Sequence, residues 1–215
     1  MVMANDTIIT YAMMRNQFIE WDEFATKNEW ASSALDRRPL ASAPDHCKAI
    51  YYVVDNEKKE IIQKLYVTTW DAKYKSDFKD LNLQWVSSLF KVEAHDLHQL
   101  DNPEENIIAP GGQIIFVLEE DLRVAGTVAM VLHDDECQLA KMTVREEHQG
   151  KGYAHPLMRE GIAWARKEGH SEVTLYSSVN LDKAISLYKK HGFVTTHLGP
   201  HPSYERCSII MQLKL

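Results

Sequence analysis

The chain has 215 residues, of which 45% are apolar and 26% charged, and its net charge at neutral pH is −7. These are ordinary globular values, so disorder as the main state is excluded, as is a core that depends on disulfides or metals. With no basic excess, nucleic acid is not expected as a partner, and the negative field favours a cationic substrate over an acidic one.

The first stretch, Thr7 to Leu35, carries Ile8, Tyr11, Phe18, Ile19, Trp21, Phe24 and Trp30 at loosely helical spacing. Arg37 to Asp45, with Pro39 and Pro44, reads as a loop. Ala49 to Val54 and Ile61 to Thr69 are apolar, β-rich runs. The turn-forming Asp55-Asn56-Glu57-Lys58 between them predicts a hairpin. The chain divides best near residue 60, into an N-terminal extension (1–60) of unassigned chemistry and a domain (61–215). The aromatic residues of the extension point to burial in the chain's own core or to an interface such as a homodimer.

Beyond Lys73, Phe78, Leu81, Trp85 and Leu89 share one face of a predicted helix. Ile114 to Leu118, Val124 to Leu132 and Gln138 to Val144 follow as three strands joined by short turns, an antiparallel meander. A helix is expected from the turn at Gln149 to about Glu168, where Gly169 ends it. Val173 to Tyr176 reads as a strand and Leu181 to His191 as a helix. The alternation of Cys207, Ile209, Met211 and Leu213 predicts an edge or half-buried strand.

The cysteines Cys47, Cys137 and Cys207 are odd in number and widely spaced, which reads as reduced thiols rather than a disulfide framework. The histidine pairs His95/His98 and His197/His201 lack further ligands at metal-binding spacing, so no metal site is expected. No apolar run approaches the roughly 18 residues of a membrane span, and Met1 to Thr10 lacks the pattern of a signal peptide. The expectation is a cytoplasmic protein without a membrane partner.

The chemistry concentrates at Gln149-Gly150-Lys151-Gly152-Tyr153-Ala154, between a predicted strand and a predicted helix. A helix start leaves N–H groups unpaired and adds partial positive charge. Glycines let an anion approach the backbone, so the segment suits a pyrophosphate. It lacks the Gly-Lys-Ser/Thr ending of a nucleoside triphosphate loop and the full Gly-x-Gly-x-x-Gly of a dinucleotide fold. Taken alone, Gly150-Lys151-Gly152 is equally a structural turn.

In context the segment resembles the Arg/Gln-x-x-Gly-x-Gly/Ala signature of the GNAT superfamily of acyl-CoA N-acyltransferases. Ala184-Ile185-Ser186-Leu187-Tyr188-Lys189-Lys190-His191-Gly192-Phe193 is similar to the Ala-x-x-Leu-Tyr-x-x-x-Gly-Phe pattern of that family's last helix, and Gly126 sits where the family often has a strand glycine. The resemblance covers about residues 61 to 215. It implies an α+β (mixed α/β) fold: a central, mostly antiparallel sheet splayed between strands 4 and 5 and flanked by helices, here with an N-terminal helix/hairpin extension. It implies acetyl-CoA as acyl donor and an N-acetyltransferase acting on the primary amine of a small molecule or amino acid. Two alternatives stand beside this: a protein lysine or N-terminal acetyltransferase, and an acyl-CoA-binding sensor or interaction module without catalysis.

By the same resemblance, Met142, Thr143 and Val144 would hold the pantetheine, and Gln149, Gly150, Lys151, Gly152, Tyr153 and Ala154 the pyrophosphate. Asn180 would touch the cofactor, its alternative being a helix N-cap. Tyr188 would give its proton to the departing thiolate, its alternative being a buried helix-face aromatic. The Met142 N–H would polarise the acyl carbonyl. Gln138 stands where many relatives carry a glutamate base, and an amide takes no proton at neutral pH. Glu136 and His133 are nearby candidates, alternatively solvated turn residues. His148 and His155 also lie near the turn. Trp85, Phe90, Pro202 and Tyr204 are analogues of family residues that wall the acceptor pocket; core packing is the alternative for Trp85.

Overall fold

The computed structural model of the protein describes residues 9–14, 17–36, 43–44, 46–55, 57–90, 92, 94–133, 136–202, 204 and 206–215. Ile8 and most of the loop expected over Arg37 to Asp45 lie outside the described residues, as does the side chain of His95.

The extension contributes strands β1 (Ile9–Met14), β2 (Gln17–Glu20) and β3 (Cys47–Asp55), and helices α1 (Trp21–Lys27) and α2 (Glu29–Asp36). The expected hairpin is present: β3 pairs antiparallel with β4 (Glu60–Thr69). The helical reading of Thr7 to Leu35 holds from Trp21 onward and fails before it. Tyr11 and Met13 point into one core cluster and Ala12 into another, a period of two that belongs to a strand.

Downstream, α3 (Lys75–Leu89) and α4 (Ala94–Asp101) precede the meander β5 (Gln113–Leu118), β6 (Val124–His133) and β7 (Glu136–Val144). Then come α5 (Ala154–Lys167), β8 (Glu172–Ser177), α6 (Asp182–Lys190), β9 (Val194–Leu198) and β10 (Ile209–Lys214). One sheet runs in the order β2-β1-β3-β4-β5-β6-β7-β8-β10-β9. The β1/β3 and β7/β8 pairs are parallel and the rest antiparallel. No helix among the described residues is long and apolar enough to cross a membrane.

Helix α5 covers one face of the sheet, packing Leu157, Met158, Ile162 and Ala165 on Val128, Leu139 and Val173. Helix α3 covers the other, with Phe78 and Leu81 against Phe116, Ala129 and Val131. The buried face of α3 is rotated from the expected one, because Asn82 and Val86 are inside while Leu89 is 54% exposed. Strand β10 is half-buried, one of the two expectations, and lies between β8 and β9, so it is not an edge. The true edge, β9, is exposed throughout and carries too few apolar residues for periodicity to reveal it.

Two departures from regular pairing open the sheet. Strands β7 and β8 share the single registered pair Gln138↔Thr174 and then diverge. Between the pairs Thr127↔Thr143 and Ala129↔Ala140, β7 carries one extra residue, and Lys141 takes φ +50°. This is a β-bulge, which leaves backbone groups unpaired and re-aims the side chains beyond it. Cys137 and Leu139 face α5, as do Met142 and Val144 past the bulge. Ala140 packs on the α3 side.

Candidate active site

The divergence of β7 and β8 opens a cleft of about 610 Å³ that reaches α3 on one face and α6 on the other. Along β7, Gln138 to Met142 line it; α6 contributes Leu181, Ala184 and Tyr188. The β8-facing edge of β7 beyond Gln138 has no strand partner. It therefore offers carbonyl and N–H groups to an extended ligand, as the free edge of any sheet does.

At the end of β7 the chain passes through a 3₁₀ turn (Glu146–His148) into the glycine segment and α5. Within that turn the N–H groups of Gln149, Lys151 and His155 bond the carbonyls of Glu146, His148 and Gly152. Those of Gly150, Gly152, Tyr153 and Ala154 have no backbone partner among the described residues. Gly150 (φ +75°) and Gly152 (φ +90°) adopt the left-handed conformation that turns these groups outward. Beside Gly150 there is open space. The free N–H groups at the start of a 14-residue helix form an anion cradle.

The side chains beneath this cradle are structural. Tyr153 is buried, and burial followed by the Glu119 charge pushes its phenol up to about 12. His148 stacks on Tyr153 with ring centroids 4.6 Å apart. His148 Nε2 is 3.1 Å from Glu119 but off the hydrogen-bonding direction, so neither ring nitrogen is hydrogen bonded. His155 Nδ1 is 2.9 Å from His191 Nε2, tying the start of α5 to the end of α6. Neither His148 nor His155 lines the cleft.

Tyr188 lines the cleft from α6 and packs beside the α5-side core. Burial pushes its phenol up to about 12, and a hydrogen bond with Ser177 draws it partly back. On the other side Tyr176 of β8 lines the cleft and donates to Glu136, with Oη 3.0 Å and 3.1 Å from the two carboxylate oxygens. The Tyr176 and Tyr204 rings stack at 6.0 Å and 15°, and His201 meets Tyr176 edge-on.

The Acetyltransferase (GNAT) family signature matches residues 63–193, the span from β4 to the end of the α6 motif. The chain belongs to the GNAT acetyltransferase family. Among curated proteins it is 36% identical over 91 residues to human N-acetyltransferase 8B, covering 40% of each chain. It is 33% identical over 91 residues to mouse N-acetyltransferase 8, again 40% of each. The chain thus matches about two fifths of the length of these relatives. Among solved structures, a GNAT-family acetyltransferase from Staphylococcus aureus covers 70% of this chain and 99% of its own at 19% identity, with a TM-score of 0.63. The spermidine N-acetyltransferase of Vibrio cholerae, in complex with CoA and spermine, covers 70% and 95% at 18% identity, with a TM-score of 0.56. These structures establish the GNAT fold: mixed α/β, mostly antiparallel, splayed between the fourth and fifth family strands, which are β7 and β8 here.

Of the residues singled out by sequence, Gln138, Met142, Gln149, Asn180 and Tyr188 meet at the cleft. Val144 is half-buried, and its carbonyl accepts the Gln149 side-chain amide at 3.2 Å. Thr143 is buried and pairs with Thr127 of β6. Gly150 and Lys151 are exposed in the cradle, and Ala154 opens α5. Asn180 is not the helix N-cap: Leu181 holds that position without a side-chain cap. Trp85, Phe90 and Tyr204 wall the cleft, while Pro202 is exposed outside it. His133 is exposed at the end of β6, away from the cleft. Tyr176 was not anticipated. Its signal was the alternation Val173/Leu175 inward, which sends Thr174 and Tyr176 to the opposite face.

Proposed function

We infer that this GNAT chain is an acetyl-CoA-dependent N-acetyltransferase for the primary amine of a small molecule or amino acid. The observation that carries the reading is continuity. A strand edge, a bulge and a phenol share one cleft, which reaches Gln149 at the entrance to the anion cradle, in the order in which an acyl donor would use them. The chain fits such a donor, since Gly150 has open space beside it and the cradle N–H groups have no backbone partner among the described residues.

Backbone groups from Met142 to Val144 hold the pantetheine arm, and the N–H groups of Gly150, Gly152, Tyr153 and Ala154 take the pyrophosphate. Lys151 adds charge, and Asn180 supports the donor at the far wall. Acetyl-CoA supplies an acyl group on a thiol that leaves readily. The bulge re-aims the strand at Met142, whose N–H is the donor for the developing oxyanion. Tyr188 is fully protonated at physiological pH and donates to the sulfur as the thiolate departs. Gln138 holds substrate by hydrogen bonds and takes no proton. A cationic acceptor agrees with the net charge of −7. The Vibrio cholerae relative in complex with spermine supports an amine acceptor for this fold.

The test is a thermal melt with and without acetyl-CoA, with adenosine diphosphate as control. At 100 times its dissociation constant the ligand stabilises by about 2.7 kcal/mol. CoA release is then measured across a panel of amines. A shift larger than the control's, with amine-stimulated release, is the expected outcome. A shift without release from any amine supports the binding-module reading, and no shift removes the cofactor site.

A further inference from the structure

A transferase of this kind needs a proton acceptor for the incoming ammonium, and Gln138 is not one. The two faces of the sheet indicate where to look. Tyr188, the donor to the leaving sulfur, packs on the α5 side. The proton acceptor belongs on the other side of the acyl carbon, where the amine enters. Strand alternation puts Glu136, Gln138 and Ala140 on the α3 side of β7 before the bulge. It puts Tyr176 on the same side of β8, opposite to Val173 and Leu175. Tyr176 reaches the cleft, and Glu136 stands behind it, hydrogen bonded through both oxygens.

We propose that Tyr176 and Glu136 form a two-step proton relay that deprotonates the acceptor amine. The reading rests on the transferase function proposed above. The Tyr176 oxygen accepts a proton from the bound ammonium while its own hydroxyl proton passes to the Glu136 carboxylate, and from there to water. The neutral amine then forms the C–N bond. The C–S bond breaks with its electron pair going to sulfur, which takes the Tyr188 proton. The second proton lost by the nitrogen returns through water to the Tyr188 phenolate, so one proton is released per turnover. Tyr176 serves as a relay rather than as the base, because burial and the hydrogen bond to Glu136 push its phenol up to about 12. The other titratable groups facing it are Cys207, Tyr204 and His201.

The experiment compares two small amines as acceptors, ethylamine and hydroxylamine, in wild type, Tyr176→Phe and Glu136→Gln. Ethylamine is an alkylammonium with a pKa near that of lysine, about 10.4, so it must lose a proton on the enzyme. Hydroxylamine is largely unprotonated at neutral pH. Both variants should lower ethylamine turnover at pH 7 by about 10²-fold or more and leave hydroxylamine turnover nearly unchanged. The ethylamine loss should shrink as pH rises. Glu136→Asp should recover part of it. The acetyl-CoA thermal shift should be retained in every variant, which separates the relay from a folding or cofactor defect. Equal losses on both amines, or no loss on ethylamine, would overturn the relay. Loss of the thermal shift in both Tyr176→Phe and Glu136→Gln would show that the pair shapes the cleft instead. Absence of release by wild type from these amines and from every amine of the panel would overturn the transferase reading together with the relay.

Discussion

At the scale of single residues, the proposed mechanism assigns the cleft groups that exchange protons and groups that only hold them. Tyr188 shows the difference that environment makes. A free phenol has a pKa of about 10, close to the leaving thiol, whereas burial raises this one to about 12. Its proton is therefore present at every working pH, and in the proposed mechanism it contributes a hydrogen bond that strengthens as negative charge reaches the sulfur. Tyr188→Phe should lower turnover by about 10²–10⁴-fold and leave acetyl-CoA affinity nearly unchanged. Steady-state CoA release and calorimetric titration measure the two quantities. A loss of affinity in step with turnover would make Tyr188 a wall of the cleft. Tyr188 lines the cleft and was singled out by its motif. Tyr176 was not, since the alternation of Val173 and Leu175 gives only the face it takes, and its significance comes from Glu136, a residue on another strand.

At the scale of elements, the site depends on β7 leaving the sheet in a controlled way. Gly126 on β6 lies opposite Val144, next to the bulge. A Cβ there would stand 2.8 Å from the Thr143 carbonyl oxygen and 3.2 Å from Leu157 Cδ1. Both neighbours are held, one by the backbone and one by the packed face of α5, so the strands would have to part. Gly126→Ala should cost about 1–3 kcal/mol of stability, read from urea unfolding, and should weaken acetyl-CoA binding by disturbing the bulge. Sequence placed a glycine here by resemblance; the reason for it lies in the close approach of β6, β7 and α5. The bulge itself was not legible. It reverses which face successive β7 side chains take, so a strict alternation from Val144 back to Gln138 misplaces one of them.

At the scale of the molecule, the extension and the GNAT span share a sheet and a core. Tyr11 and Met13 belong to the cluster that α5 covers. The Tyr51 hydroxyl donates to Glu160 at 2.5 Å, and the Arg159 guanidinium lies over the Tyr11 ring at 4.2 Å. We therefore propose that the described residues of the extension, Ile9 to Asp55, fold with the remainder as one cooperative unit. Helices α5 and α6 are joined through His155 and His191. Burial first, then the nearby charges of His155 and Arg159, push His191 down to about 4; burial and Lys190 lower His155. The unfolded chain, with histidines near 6.5, takes up these protons first as pH falls. The stability contributed by the neutral pair is therefore complete above about pH 6.5 and is lost on the way down to about 4. After allowance for partial exposure this amounts to about 1–2 kcal/mol. Melts across that range should show a shallower pH dependence in His191→Gln than in wild type. Parallel curves would remove the assignment.

The sequence by itself determined the parts whose signal is local. Hydrophobic periodicity located the β3–β4 hairpin, the β5–β7 meander and α5, because a strand or helix that buries one face must repeat its apolar residues at its own period. The glycine turn and the Leu-Tyr motif identified the family, because backbone conformation and close approach restrict those positions to particular residues. Tertiary structure decided the rest. It placed the strands before Trp21, where short hairpin strands mimic helical spacing, and it placed the exposed edge β9, which buries nothing. It also decided the bulge at Lys141 and the meeting of Tyr176 with Glu136. Those features arise from pairing between segments far apart in the chain, and the energy that fixes them is spent on contacts that no single segment contains.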